Sequence, residues 1–429
     1  MHPAGCNPKE PMKISLQRGC RPTHRHVLTA ALALIGNAAA VAETSPYVVG
    51  ASETITHDSN VVRLPDGATP PASLYATTDW IATTALFAGI DQPFGRQRAY
   101  GNLSLRNNHY RYNQDYGNFA YGLAGGLDWS TIERVSGTVS LSSNRTLASF
   151  DRANGNNAPN VVKNIEQTDQ FGATAQMGVV TDLSFVGGYQ HQSQRFSQVG
   201  DKLVQDVVNL GTRYRLGGEL TLGAGLRFTH GRYPDNNDSF KGRNLDLSAD
   251  WVPSPISTVT ARVGLGKTDH TAATAQDFSG ATGSLLWNWK PTAKLAFVSQ
   301  LNRATGTDSS FQQVADSGNI VAAQADNSRL TTTLGLNATY EATAKILLSA
   351  GHNRASRKLT NALANNPGLL LTDGDRLTRS RIGLRYLPTR TLELGCNLAR
   401  ESRSADTSTL TYAYSARTVS CSAQFSVQP

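Results

Sequence analysis

Seven arginines have the type and spacing to act together. Arg106, Arg213, Arg215, Arg227, Arg262, Arg381 and Arg385 all fall in the polar phase of stretches where apolar and polar residues alternate. A guanidinium is a planar donor of fixed charge that matches carboxylates and other oxyanions, and a wall of them lowers the barrier for an anion passing it. The competing use is local: Asp128, Asp246, Asp250 and Glu393 share that phase and would neutralise the arginines, stiffening whatever wall they stand in.

Two further residues point to covalent chemistry. Cys396 runs in phase with Leu392, Leu394 and Leu398, and Cys421 with Val419, Ala423 and Phe425. The midpoint between them falls at 408–409, in a polar stretch, so folding back there sets them opposite one another on paired strands. Non-hydrogen-bonded antiparallel pairs have a spacing that a disulfide tolerates. Two small unbonded residues on the apolar face are the alternative.

Other motifs carry less. Ala261 to Thr268 fits a permissive phosphate-loop pattern, but Val259, Ala261, Val263 and Leu265 alternate with Thr260, Arg262, Gly264 and Gly266 as a strand, and no helix pattern follows. The histidines His57, His109, His191, His230, His270 and His352 lack the close ligand spacing of a metal site. There is no Gly-x-Ser-x-Gly elbow and no His-Glu-x-x-His. The expectation is a non-enzymatic chain with no cofactor and no metal.

These groups must be held by elements whose class the composition narrows. The chain has 429 residues, 39% hydrophobic and only 17% charged, with 38 glycines. That is too apolar for disorder, and no run of about 20 apolar residues supplies a membrane helix. Residues 1–42 read as a secretory leader to be cleaved, with Lys13, Arg18, Arg21 and Arg25 before the apolar Val27 to Ile35 and a small-x-small site at Ala40-Val41-Ala42. The leader takes with it Lys9, Lys13, Arg18, Arg21, Arg25 and Glu10, so the formal charge falls from +8 to +4. No basic run remains, and nucleic acid is not an expected partner. Cys6 and Cys20 leave as well, and the two that remain would meet an oxidising compartment.

Residues 43–429 repeat one grammar. Leu210, Thr212, Tyr214 and Leu216 alternate with polar residues, a turn follows at Gly217-Gly218-Glu219, and Leu220, Leu222, Ala224, Leu226 and Phe228 resume the alternation. Tight turns of this kind recur near Gln92, Asp128, Val180, Trp251, Trp289, Tyr340 and Tyr386, most of them just after an aromatic residue. Between them lie polar loops, the longest being Ser149 to Lys163, Pro234 to Gly242, Thr307 to Ser328 and Thr360 to Asp375. Strands of about 10 to 15 residues, with short turns at one rim and long loops at the other, predict an all-β, transmembrane, antiparallel outer-membrane β-barrel of about 18 strands. Both termini are then periplasmic, outer-membrane lipid surrounds the wall and the arginines line the lumen. Tyr47 to Asn60 alternates poorly, so a 16-stranded barrel after an N-terminal segment is the alternative.

Three stretches carry a family resemblance: Ser45 to Gly50, Thr84 to Gln97 and Gly126 to Arg134. They resemble the exosortase-associated exopolysaccharide biosynthesis outer-membrane proteins, the EpsL-like family. The resemblance implies a pore or accessory channel for a polysaccharide cargo and a periplasmic polysaccharide export protein as partner; insertion by the barrel assembly machinery is expected of the barrel itself. It supplies no catalytic residue. A general or solute-specific porin for inward diffusion is the alternative function.

Overall fold

The structure is a computed structural model that describes residues 45–428, except 133, 151–160, 179–181, 199, 201, 273–276, 306–328, 364–365 and 409. The expected leader and the loop Thr307 to Ser328 lie outside the described residues.

The alternating stretches form nine antiparallel hairpins. In chain order the strands are β1 (Tyr47–Asp58), β2 (Asp79–Phe94), β3 (Gln97–Tyr110), β4 (Asn118–Ser130), β5 (Val135–Leu147) and β6 (Ile165–Met177). Then come β7 (Leu183–Phe196), β8 (Leu203–Leu216), β9 (Leu220–Tyr233), β10 (Asp238–Ser254), β11 (Ser257–His270) and β12 (Phe278–Trp289). The last six are β13 (Leu295–Thr305), β14 (Arg329–Thr343), β15 (Ile346–Leu363), β16 (Asn366–Tyr386), β17 (Leu392–Ala405) and β18 (Tyr414–Val427).

Every strand pairs with its sequence neighbours, and β1 also pairs with β18, so the 18-stranded sheet is closed. Closure leaves no edge with unpaired backbone groups, the condition for crossing lipid with strands. The poorly alternating first stretch is therefore a full member of the wall: β1 registers with β2 from Tyr47↔Ile90 to Asp58↔Asp79 and with β18 from Val49↔Val427 to Asp58↔Thr418. The same pairing explains why the chain runs past Phe425, since Ser426 and Val427 are needed opposite Gly50 and Val49.

Side-chain direction follows the period of two. Leu210, Leu226, Leu247, Val263, Leu336 and Ile382 are exposed on the outward face. Around the short-turn rim Tyr47, Phe94, Tyr214, Trp251, Tyr340 and Phe425 are exposed on that same face, an aromatic girdle at the interface. Gly95 and Gly217 adopt φ of +61° and +64° in two of these turns, a conformation that side chains with a Cβ resist. The chain is an outer-membrane β-barrel, with both termini at this periplasmic rim.

The opposite rim departs from expectation in two places. Pro234 to Gly242 is not a long loop, because β10 begins at Asp238 after a turn closed by Asn237 at φ +51°. Thr360 to Asp375 is mostly sheet, since β15 continues to Leu363 and β16 starts at Asn366. Polar side chains suggested loops there, yet a backbone ladder that has left the membrane satisfies its own amides and carbonyls wherever it continues.

The deepest packing lies at that rim as well. The 59–78 connection turns in against the wall, and Val61, Val62, Leu64 and Leu74 pack with Tyr110, Tyr116 and Phe150.

Candidate functional site in the lumen

The inner face carries all seven predicted arginines, and they fall into two groups. Arg227 is 3% exposed and makes a two-point contact with Asp246 on the neighbouring strand, Nε to Oδ2 at 2.8 Å and Nη2 to Oδ1 at 3.2 Å. Arg213 Nη2 lies 3.0 Å from Asp250 Oδ2, and Arg385 Nη1 lies 3.8 Å from Glu393 Oε1. Arg381 donates to Asn337 Oδ1 at 3.0 Å. These four are held by the wall, three of them by carboxylates that share the polar phase.

Glycine makes room for this packing. A Cβ at Gly264 would stand 2.7 Å from Asp246 Oδ1 and 3.3 Å from Arg227 Nη2. The glycines in the polar phase thus let paired side chains lie across the neighbouring strands.

Arg106, Arg215 and Arg262 have no carboxylate partner among the described residues, and the buried Nε of Arg106 donates to no acceptor there. Asp128, expected as a partner for the seven, instead accepts from Thr138 Oγ1 at 2.8 Å and lies 3.5 Å from Arg98. Arg98 is held chiefly by Asp91, with Nε to Oδ1 at 2.6 Å.

Arg98, Arg357 and Arg403 went unnamed at the sequence level although each lies in the inward phase. Asp375 contacts Arg357 and sits 3.6 Å from Arg403 Nε, and all three are buried. Their phase was the signal that finds them.

The 59–78 connection adds a constriction to the lumen's outer mouth. Arg63 bridges two strands separated only by β18, with Nη1 2.9 Å from Asp58 Oδ2 on β1 and Nε 2.8 Å from Glu401 Oε1 on β17. Burial alone would depress the Arg63 guanidinium, but the Glu401 and Asp58 carboxylates more than offset it, so its pKa is raised and it stays charged. Asp79 accepts from the backbone amides of Trp80, Arg111, Tyr112 and Asn113, while Asn113 Oδ1 accepts from Tyr75 N and its amide donates to Ala76 O. On the far side Tyr412, between β17 and β18, donates to Phe150 O at 3.5 Å. Six strands, β18 and β1 to β5, lie between those two connections in the circuit, so the contact closes over one sector of the mouth. Four apolar residues in a connection otherwise expected to be solvated, Val61, Val62, Leu64 and Leu74, are the sequence signal for this inward fold.

Cys396 and Cys421 face outward as direct partners of β17 and β18. Their Cα atoms are 4.1 Å apart, with the sulfurs at bonding distance. Among the described residues no group of three or more His, Cys, Asp or Glu is placed to hold a metal ion.

No family model matches the chain, and no curated protein matches it. Several solved structures are similar in shape. The outer membrane channel DcaP of Acinetobacter baumannii is 12% identical, with 89% of this chain and 96% of that chain covered and a TM-score of 0.43. OccK9 (OpdG) of Pseudomonas aeruginosa is 14% identical over 90% and 99%, with a TM-score of 0.44. The siderophore receptor PirA from Pseudomonas aeruginosa is 13% identical over 88% and 80%, with a TM-score of 0.39.

Proposed function

We propose that the protein is a diffusion channel for small polar solutes, with a lumen biased towards anions. The observation that carries this is the division among the inward arginines. Arg213, Arg227 and Arg385 are neutralised within the wall, while Arg106, Arg215 and Arg262 present charge that no described carboxylate answers. Uncompensated charge in a narrow low-dielectric wall raises the local concentration of the opposite ion. The packed sector at the mouth favours small solutes over a wide conduit. Reversal potentials across planar bilayers under a salt gradient test it. Wild type is expected to prefer chloride, and Arg106→Gln with Arg215→Gln and Arg262→Gln together should move the reversal potential towards the non-selective value. An unchanged potential would remove the arginines from the mechanism.

A second reading, export of an extracellular polysaccharide with a periplasmic export protein as partner, is supported by the EpsL-like stretches at Ser45 to Gly50, Thr84 to Gln97 and Gly126 to Arg134. It predicts that an in-frame deletion in the native bacterium lowers external polymer while polymer accumulates in the periplasm. Wild-type polymer levels with reduced small-solute uptake would discard it in favour of the diffusion channel.

A further inference from the structure

The outward face of a membrane barrel changes character at the height where lipid tails give way to headgroups, and the register makes that height readable. Across β15 to β18 one row of direct partners is Ala350, Ile382, Leu398 and Val419, all apolar. The next outward row towards the extracellular loops is His352, Ser380, Arg400 and Arg417. Above it Arg354 faces Thr378, and Arg376 lies between Ser356 and Ser404. A basic, hydroxyl-rich patch therefore begins one row above the apolar band.

Three observations bear on what this patch could hold. The four arginines are exposed, and their side chains make no ion pair or hydrogen bond among the described residues. Glu401, Asp373 and Asp375 on these strands are in the inward phase, while Asp406, beside the outward-phase Gly374, and Asp66, which accepts from Ser415 Oγ, stand at the patch's upper margin without an ion pair to its arginines. Between β6 and β11 several outward groups instead meet acids, with Asp169 3.9 Å from Arg195, Asp206 2.8 Å from His191, and Asp269 against Lys267.

The third observation is energetic. Arg400 and Arg417 are direct partners, and like charges placed directly opposite on a sheet face destabilise it. An oxyanion seated between them reverses that sign, because each guanidinium then donates charge-assisted hydrogen bonds to it. Two rows nearer the turns the Cys396 and Cys421 pair lies on the same two strands, which holds the separation of the arginines above it.

We propose that the outward face of β15 to β18 binds a phosphate-bearing lipid of the outer leaflet, with a headgroup phosphate between Arg400 and Arg417, Arg354 and Arg376 reaching further phosphates, and acyl chains on the apolar row below. The charge of the patch selects the headgroup, and its continuity with the lipid-facing band selects a lipid over a soluble anion.

Native mass spectrometry of the detergent-solubilised full barrel with added diphosphorylated lipid A, or with the same lipid after dephosphorylation, tests the proposal. Wild type should retain the phosphorylated lipid and lose most of the dephosphorylated one. R354Q/R376Q/R400Q/R417Q should weaken retention of the phosphorylated lipid by roughly fivefold for each arginine removed. R195Q/K267Q, changed at two outward bases that already face acids, should retain it as wild type does. Equal retention of the two lipids by wild type overturns the proposal without reference to any variant. Retention by the quadruple variant equal to wild type, with heat-modifiable gel mobility showing that it is folded, overturns it too.

Discussion

Arg227 and Asp246 show what a lumen charge becomes when it is answered. Two guanidinium contacts go to one carboxylate, and Arg227 is 3% exposed, so the pair contributes rigidity and little field to the channel. Truncating one partner of such a pair would leave the other buried and uncompensated, at a cost of about 3 to 5 kcal/mol. The alternation in the sequence placed these residues on one face and named Asp246, Asp250 and Glu393 as partners for the arginines. It did not show which arginines they would take, because that depends on the stagger of neighbouring strands and not on phase. Cys396 and Cys421 are a residue-scale case where stagger was legible, since one turn fixes the register of one hairpin. A bond between them would close a loop with a sequence separation of 25, worth about 3 kcal/mol through the unfolded chain. Thiol titration of the mature protein, unfolded without reductant, is expected to find no free thiols, and finding two would rule the bond out.

At the scale of elements, strands and connections differ in how much of themselves the sequence discloses. A strand in this wall contacts lipid on one side and the lumen on the other, and both demands are written locally as alternation, as in Leu220 to Phe228. The 59–78 connection is held by partners far along the chain, Tyr116, Phe150 and Glu401 among them, and nothing local encodes those. Val62, at 0% exposure, is central to its packing. Val62→Asp would bury a charge without a partner, which the small cluster around it cannot compensate. The expected result is new protease cleavage within 59–78 from the extracellular side together with a larger single-channel conductance. Wild-type resistance and conductance in that variant would show that the connection does not narrow the mouth.

For the whole molecule, the legible part was the architecture. Eighteen strands, eight tight turns and a periplasmic pair of termini all follow from period-two patterning plus the contrast between short and long connections. What escaped was the height of individual hairpins: β15 and β16 rise well beyond the band that lipid requires, in a stretch whose polarity suggested a loop. The seam between β1 and β18 has a different kind of consequence. Each of the other seventeen pairings joins neighbours in sequence and can form as soon as its hairpin is made, whereas Val49 must find Val427, 378 positions away (427 minus 49). Zipping is therefore incremental until the last strand arrives, and only then does a single long-range event convert an open ribbon with two adhesive margins into a ring. The seam spreads over ten partner pairs, from Val49↔Val427 to Asp58↔Thr418, so it takes the loss of most of β18 to withhold that event.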